Sequence, residues 1–140
     1  MQWSANGFVV DDDRQRLDLE RIVAWLGESY WAGSQPPEVI RRSWEAAGIT
    51  LGLFKDEDGE MIGCARAVTD FARFAYLSDV YVDPAYRGQG LGRWLVQLMI
   101  EHPEVPRVRW VLHTNDAHGL YQQFGFEAAD ETVMQRPKPS

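Results

Sequence analysis

The sequence predicts a mixed α/β (α+β) domain, a mostly antiparallel central sheet with helices on both faces, in the order β-α-α-β-β-β-α-β-α-β. Three observations carry that expectation. Two strand-like runs, 49–54 and 61–68, flank Asp56-Glu57-Asp58-Gly59, whose Asp-Gly step is a hairpin turn signal. Two helical patterns stand between the first strand and that hairpin. A third strand-like run, 76–82, leads through a glycine-rich loop into a helix, as a crossover connection requires.

Taken in order, Phe8-Val9-Val10 is a short strand running into the polar turn Asp11-Asp12-Asp13. Leu19, Ile22, Val23, Leu26 and Tyr30 then recur at helical spacing, with Asp18, Glu20 and Arg21 off that stripe. Gly33-Ser34-Gln35-Pro36-Pro37 breaks the chain, and Pro37 suits the first turn of a second helix. That helix runs through Val39, Ile40 and Trp44 to about Ala47, with Gly48 as its stop. After the hairpin, Tyr76 to Val82 is rich in aromatic and β-branched residues and closes at Asp83-Pro84. Leu91, Leu95, Leu98 and Met99 share one face of a helix ending before Pro103. Arg107 to Thr114 alternates, with Val108, Trp110 and Leu112 on one side. A short helix from about Asp116 to Phe124 stops at Gly125, and a last strand is expected from Phe126 onward. Residues 1–136 are expected as a single domain, and 137–140 as a disordered tail.

Composition narrows the function. The chain has 140 residues, one domain's worth, with 14 Lys and Arg against 21 Asp and Glu, a net charge of −7. That acidity argues against nucleic acid, whose partners normally carry a basic patch. No apolar run approaches the ~20 residues that span a bilayer, and no secretory signal opens the sequence, so a cytoplasmic protein without membrane contact is expected. Cys64 is the only cysteine, which rules out an internal disulfide and a Cys-based zinc cluster. His113, Asp116 and His118 match no familiar ligand spacing, so no metal is expected. A Gly-x-Ser-x-Gly nucleophile elbow is also missing. Cys64 itself lies in a predicted interior strand, where a free cysteine behaves as a small buried hydrophobe.

The most informative segment is Val82-Asp83-Pro84-Ala85-Tyr86-Arg87-Gly88-Gln89-Gly90-Leu91-Gly92-Arg93. Three glycines in five residues, between a strand and a helix, let backbone amides approach a ligand with no Cβ in the way. The helix N-terminus adds unpaired N–H donors and the positive end of its dipole, a site for pyrophosphate. Arg87 and Arg93 add local positive charge to an acidic protein. A Walker-type loop is excluded because Arg93-Trp94 follows Gly92 where Lys-Ser/Thr is needed. A dinucleotide fingerprint is excluded by strand order and position. A glycine turn that merely caps a helix is the structural alternative.

In this sequence Arg87-Gly88-Gln89-Gly90-Leu91-Gly92 matches the Gln/Arg-x-x-Gly-x-Gly/Ala signature of the GNAT superfamily of N-acetyltransferases, which the chain resembles. Leu77-Ser78-Asp79-Val80-Tyr81-Val82-Asp83-Pro84 is similar to that family's central strand with its Val-x-Pro ending. Ala117-His118-Gly119-Leu120-Tyr121-Gln122-Gln123-Phe124-Gly125-Phe126 is similar to its Ala-x-x-x-Tyr-x-x-x-Gly-Phe segment. The likeness covers roughly residues 6–130, with the specific motifs confined to about 76–126.

That resemblance implies acetyl-CoA, or a related acyl-CoA, as donor. Amides from Arg87 to Gly92 (Arg87, Gly88, Gln89, Gly90, Leu91, Gly92), with the charge of Arg93, would hold the pyrophosphate. The strand end Val80, Tyr81 and Val82 would pair with the pantetheine arm and offer an N–H to the thioester carbonyl, an oxyanion-type contact. Tyr121 matches the tyrosine that protonates the departing thiolate; a core aromatic on an amphipathic helix is its structural alternative. The family often has Asn seven residues before that tyrosine; Thr114 holds the position here and Asn115 is one place late.

An attacking ammonium must first lose a proton, so a base is expected within one water of it. Asp79 leads, because an acid in mid-strand is costly unless it faces a cavity, although a hydrogen-bonded Asp at a strand bulge fits equally. His118 and Asp70 follow. As in the family it resembles, acceptor recognition would fall to the first two helices and their connection, with Tyr30, Trp31 and Phe74 as walls and Asp70 and Asp79 attracting a cationic amine. The expected activity is direct acyl transfer to a primary amine, taken as a small molecule. A CoA-binding module without turnover and a protein N-acetyltransferase are the alternatives. So little chain remains for the acceptor site that a homodimer completing it is also expected.

Overall fold

The computed structural model describes residues 1–28 and 35–139. Six strands form one sheet in the order β1(Gln2–Ala5), β2(Phe8–Asp11), β3(Ile49–Lys55), β4(Met61–Thr69), β5(Phe74–Val82) and β6(Arg109–Val111). Every neighbouring pair is antiparallel except β5 and β6, which run parallel. The helices are α1(Leu19–Glu28), α2(Pro37–Glu45), α3(Leu91–Ile100) and the short α4(His118–Gln122). Among the described residues no helix is long and apolar enough to cross a membrane.

Strand alternation sends alternate side chains to two cores. On one face Ile49, Leu51, Leu53, Ala65, Ala67 and Leu77 pack against Leu91, Leu95, Val96 and Met99 of α3. On the other, Phe54, Met61 and Cys64 meet Ile22, Trp25 and Leu26 of α1 and Ile40 and Trp44 of α2. The i, i+3, i+4 spacing of each helix's buried residues is what lets it lie flat on the sheet. Pro37 occupies the first turn of α2, where its missing N–H costs nothing.

Two expectations are corrected. The first strand is the second arm of a hairpin: Gln2–Ala5 pairs with Phe8–Asp11 through Asn6-Gly7, both with positive φ (51° and 86°). Such turns match the twist of the strands they join. At the other end, no strand forms from Phe126 onward. Asp130 instead closes a local turn, its Oδ1 accepting from Thr132 N at 2.9 Å, and Val133 and Met134 stay exposed with no apolar face to cover. Three elements are also shorter than expected: α2 ends at Glu45, α4 covers only His118–Gln122, and β6 only Arg109–Val111.

Candidate active site

The site begins where β5 and β6 part. Their parallel ladder holds only Phe74–Arg109, Ala75–Trp110 and Tyr76–Val111. Past Tyr76, β5 runs on to Val82 while the chain after Val111 has left the sheet, so among the described residues that edge of β5 has no partner strand. An unpaired strand edge presents a row of main-chain donors and acceptors. Between it and residues 112–117 lies a cleft of about 1450 Å³, which reaches from the ends of α1 and α2 to the first turn of α3.

A bulge shapes the middle of β5. Cys64 lies opposite Tyr81 and Arg66 opposite Ser78, so β5 carries one extra residue there. Asp79 takes it up in the left-handed region, φ 55°, which short polar side chains tolerate. Its Oδ2 accepts from Arg66 Nε at 2.6 Å, and Arg66 Nη2 lies 3.3 Å from Ser78 Oγ. The two charged side chains are only 10% and 14% exposed, so each is the other's compensation.

Beyond the bulge, the end of β5 is held by a column of aromatic and guanidinium groups. Trp25 of α1 stacks on Tyr81 at 5.0 Å, Arg21 lies 5.1 Å from the Trp25 ring, and Arg87 lies 5.2 Å from the Tyr81 ring. Arg87 Nε also donates to the Val82 carbonyl at 2.8 Å. Burial pushes the Tyr81 phenol above its ordinary range.

The glycine turn follows. Gly88 and Gly90 have φ of 88° and 81°, while a Cβ on either would meet nothing within 4 Å. Backbone sign, not crowding, is why glycine stands there. Gly90 caps α3 without any side-chain acceptor, so the first-turn N–H groups face the cleft side with no partner inside the helix. This donor set fits a pyrophosphate.

Of the expected residues, Asp79, Val80, Tyr81, Val82, Arg87, Gly88, Gly90, Leu91, Gly92, Thr114, Asn115 and Tyr121 all line the cleft. Gln89 and Arg93 flank the turn without lining it. Thr114 Oγ1 accepts from Ala117 N at 3.0 Å, so it also anchors the start of α4. Tyr121 stands across the cleft from β5, edge-on to Phe126 at 5.8 Å; burial raises its phenol above the ordinary value, and the Asp116 carboxylate raises it further. The structure does not bring Asp70, Phe74 or His118 to the cleft. Asp70 Oδ1 accepts the N–H groups of Ala72, Arg73 and Phe74, which hold its carboxyl at about 2 and commit it to the β4–β5 turn. Phe74, 43% exposed, opens β5 at the far end. Tyr30 and Trp31 lie outside the described residues.

Among the lining residues outside those expectations are Arg66, Tyr76 and His113. Tyr76 Oη and His113 Nδ1 are 2.7 Å apart. Burial lifts the Tyr76 phenol above its usual range, with Arg66 pulling it down and Asp79 pushing it up. A signal for Arg66 stood in the sequence: an arginine in an interior strand is as costly as Asp79, and two opposite charges so placed need each other. Nothing local links Tyr76 to His113. No cluster of three or more His, Cys, Asp or Glu suited to a metal occurs among the described residues.

Comparison with known proteins agrees with this geometry. Residues 19–126 match the sequence model of the Acetyltransferase (GNAT) family. The chain is 30% identical over 149 residues to a Gibberella zeae protein named as an acetyltransferase, FG08082, covering 89% of this chain and 82% of that one. It is 32% identical over 121 residues to histone acetyltransferase TAP1 of Glycine max, with 84% of this chain aligned but only 48% of the relative's length spanned. The crystal structure of a GNAT-family protein from Xanthomonas campestris pv. campestris superposes with a TM-score of 0.88 at 33% identity, covering 97% of this chain and 96% of that one. With residues 19–126 matched by the family model and 97% of its length matched in space, this chain belongs to the GNAT family of acetyltransferases.

Proposed function

We propose that the chain transfers an acetyl group from acetyl-CoA directly to the primary amine of a small, cationic molecule. The observation that carries this reading is the edge of β5 past Tyr76, which has no partner strand among the described residues and runs straight into a glycine turn at the start of α3. Main-chain groups of Val80, Tyr81 and Val82 bind the amides of the pantetheine arm as a neighbouring strand would. The turn from Arg87 to Gly92 holds the pyrophosphate, with Arg93 beside it. A bulge N–H aimed at the thioester oxygen stabilises the charge that grows there as the amine attacks. Asp79, engaged by Arg66, fixes the bulge and so fixes that aim. Tyr121, a phenol and so protonated at neutral pH, donates to the departing thiolate. Thr114 and Asn115 form the far wall of the donor channel.

Size and charge support the acceptor class. A cleft of about 1450 Å³ exceeds the roughly 300–1,000 Å³ of a single small-ligand pocket, leaving room for a donor arm and a second molecule. Leu26, Val39 and Ile40 wall the α1/α2 side, and the carboxylates of Glu28 and Asp116 stand on the rim.

The test is release of CoA thiol from acetyl-CoA over a panel of small amines, lysine peptides and peptide N-termini. Turnover on small amines above both peptide classes is expected. Turnover confined to peptides would move the acceptor to proteins. No turnover on any class, with CoA still raising Tm, would leave a binding module in place of an enzyme.

A further inference from the structure

We propose that Tyr76 and His113 form the proton path for the acceptor: Tyr76 Oη takes a proton from the substrate ammonium while passing its own to His113 Nδ1. The inference rests on the acetyl-transfer reading and names the base that reading leaves open.

Placement comes first. Tyr76 is the last β5 residue paired with β6, so its side chain stands where the strands part and the donor channel begins. It projects from the same sheet face as Arg66 and Ser78, the face α1 and α2 cover, and shares the cleft with the bulge and with Leu26 and Val39. His113, two residues beyond β6, reaches back to it across the gap at 2.7 Å with its ring tilted 60° to the phenol. The contact joins a half-buried hydroxyl to an imidazole that is exposed to solvent.

Chemistry assigns the direction. A phenol whose ionisation is suppressed by burial is a poor place to leave negative charge, but a good conduit if its proton can go onward. In the step, the substrate N–H bond breaks and its electron pair stays on nitrogen as the nucleophile's lone pair. The proton joins Tyr76 Oη as the Oη–H bond to the old proton breaks. That proton forms Nδ1–H on His113, giving imidazolium and leaving Tyr76 neutral. Imidazolium then returns the proton to water through its exposed side, restoring the starting state. Asp79, with Oδ2 held by Arg66, is spared the task.

The charged and titratable groups around the pair are Arg66 on β4, Asp79 on β5, Asp116 and Tyr121 beyond β6, and Glu28 at the end of α1. Arg66 and Asp79 compensate one another, so neither adds net charge beside the pair.

The experiment measures kcat/KM against pH for the wild type, Tyr76→Phe, His113→Gln and the double variant, using acetyl-CoA and the best amine of the panel. The CoA-induced Tm gain reports folding and donor binding in each. Expected is a rate that falls toward acid pH in the wild type, a fall that His113→Gln does not share. Each single variant loses on the order of 10²-fold at neutral pH, and the double loses no more than either, because one path is broken only once. The CoA-induced Tm gain stays. Unchanged rates in either single variant, or losses that multiply in the double, overturn the relay while leaving acetyl transfer standing. A wild type that turns over no amine overturns the acetyl-transfer reading and the relay with it.

Discussion

Arg66 and Asp79 hold each other across the bulge of β5, Nε to Oδ2 at 2.6 Å, with neither side chain more than 14% exposed. The pair is the reason a non-glycine residue keeps a φ of 55° in the middle of a central strand. Arg66→Met leaves the carboxylate uncompensated and is expected to cost about 3 kcal/mol. Adding Asp79→Asn, which tolerates the same backbone, restores much of that loss. Chemical denaturation of the three variants checks it. A double variant no more stable than Arg66→Met alone would mean the ion pair does not hold the bulge.

Gly90→Ala separates backbone sign from donor binding. A Cβ there meets open space, so the folding cost is the left-handed backbone alone, about 1–2 kcal/mol. Any relief of that strain turns the α3 N–H groups. Losing one charge-assisted hydrogen bond of about 1.5 kcal/mol weakens CoA about tenfold. Calorimetric titration with CoA reads it; unchanged affinity would remove the turn from the donor site.

Tyr121→Phe is expected to lower kcat on the order of 10²-fold at neutral pH with CoA affinity unchanged. The phenol's raised pKa sets the sign: it remains a donor across neutral and mildly alkaline pH, and that contribution disappears only as pH rises past its elevated value. A variant at full rate on a good amine would return Tyr121 to a packing role.

Asp11 anchors the start of the fold and sets an acid limit. Burial alone would lift its carboxyl, but Asp13 N–H, Arg16 and Gln2 outweigh burial and hold it below the usual range. A depressed folded-state pKa contributes stability that is complete above the unfolded value, about 3.9, and is lost as pH falls through the folded one. Asp11→Asn should therefore cost about 2 kcal/mol at pH 7 and progressively less below about pH 4. Denaturant midpoints across that range would show the two curves converging; parallel curves would exclude this contribution.

Cys64 should stay silent to a thiol reagent until the chain unfolds. Its side chain is fully buried and burial drives its pKa well up, so the thiolate that would react is not formed. One thiol per chain in denaturant and none in buffer is the expected count, which also makes thiol release a clean assay. Rapid labelling of the native chain would reopen an acyl-cysteine route.

The sheet and its two helical layers were legible because apolar spacing records which face each element buries. Gln2–Ala5 was not, being polar and mostly exposed, although Asn6-Gly7 announced the turn. The strand expected from Phe126 lacks strand formers over Glu127-Ala128-Ala129-Asp130, and Asp130 turns the segment on itself. Motifs exposed the glycine turn, since its backbone needs glycine at fixed places. What joins Arg66 to Asp79, or Tyr76 to His113 across 37 positions, is register between strands, and no local pattern encodes it.

The three-residue ladder between β5 and β6 has a mechanical consequence. Among the described residues, the chain after 107 joins the sheet's main-chain ladder along that one short seam, while Leu112, Tyr121 and Phe124 pack against the core. On the proposed reading, a donor lying in the gap would lengthen that seam, because main-chain groups on β5 and side chains after β6 would grip the same molecule. Ligand and fold then share one cooperative unit. Amide exchange in 107–125 is where saturation with CoA should slow most, while the hairpins at the opposite edge of the sheet scarcely register it.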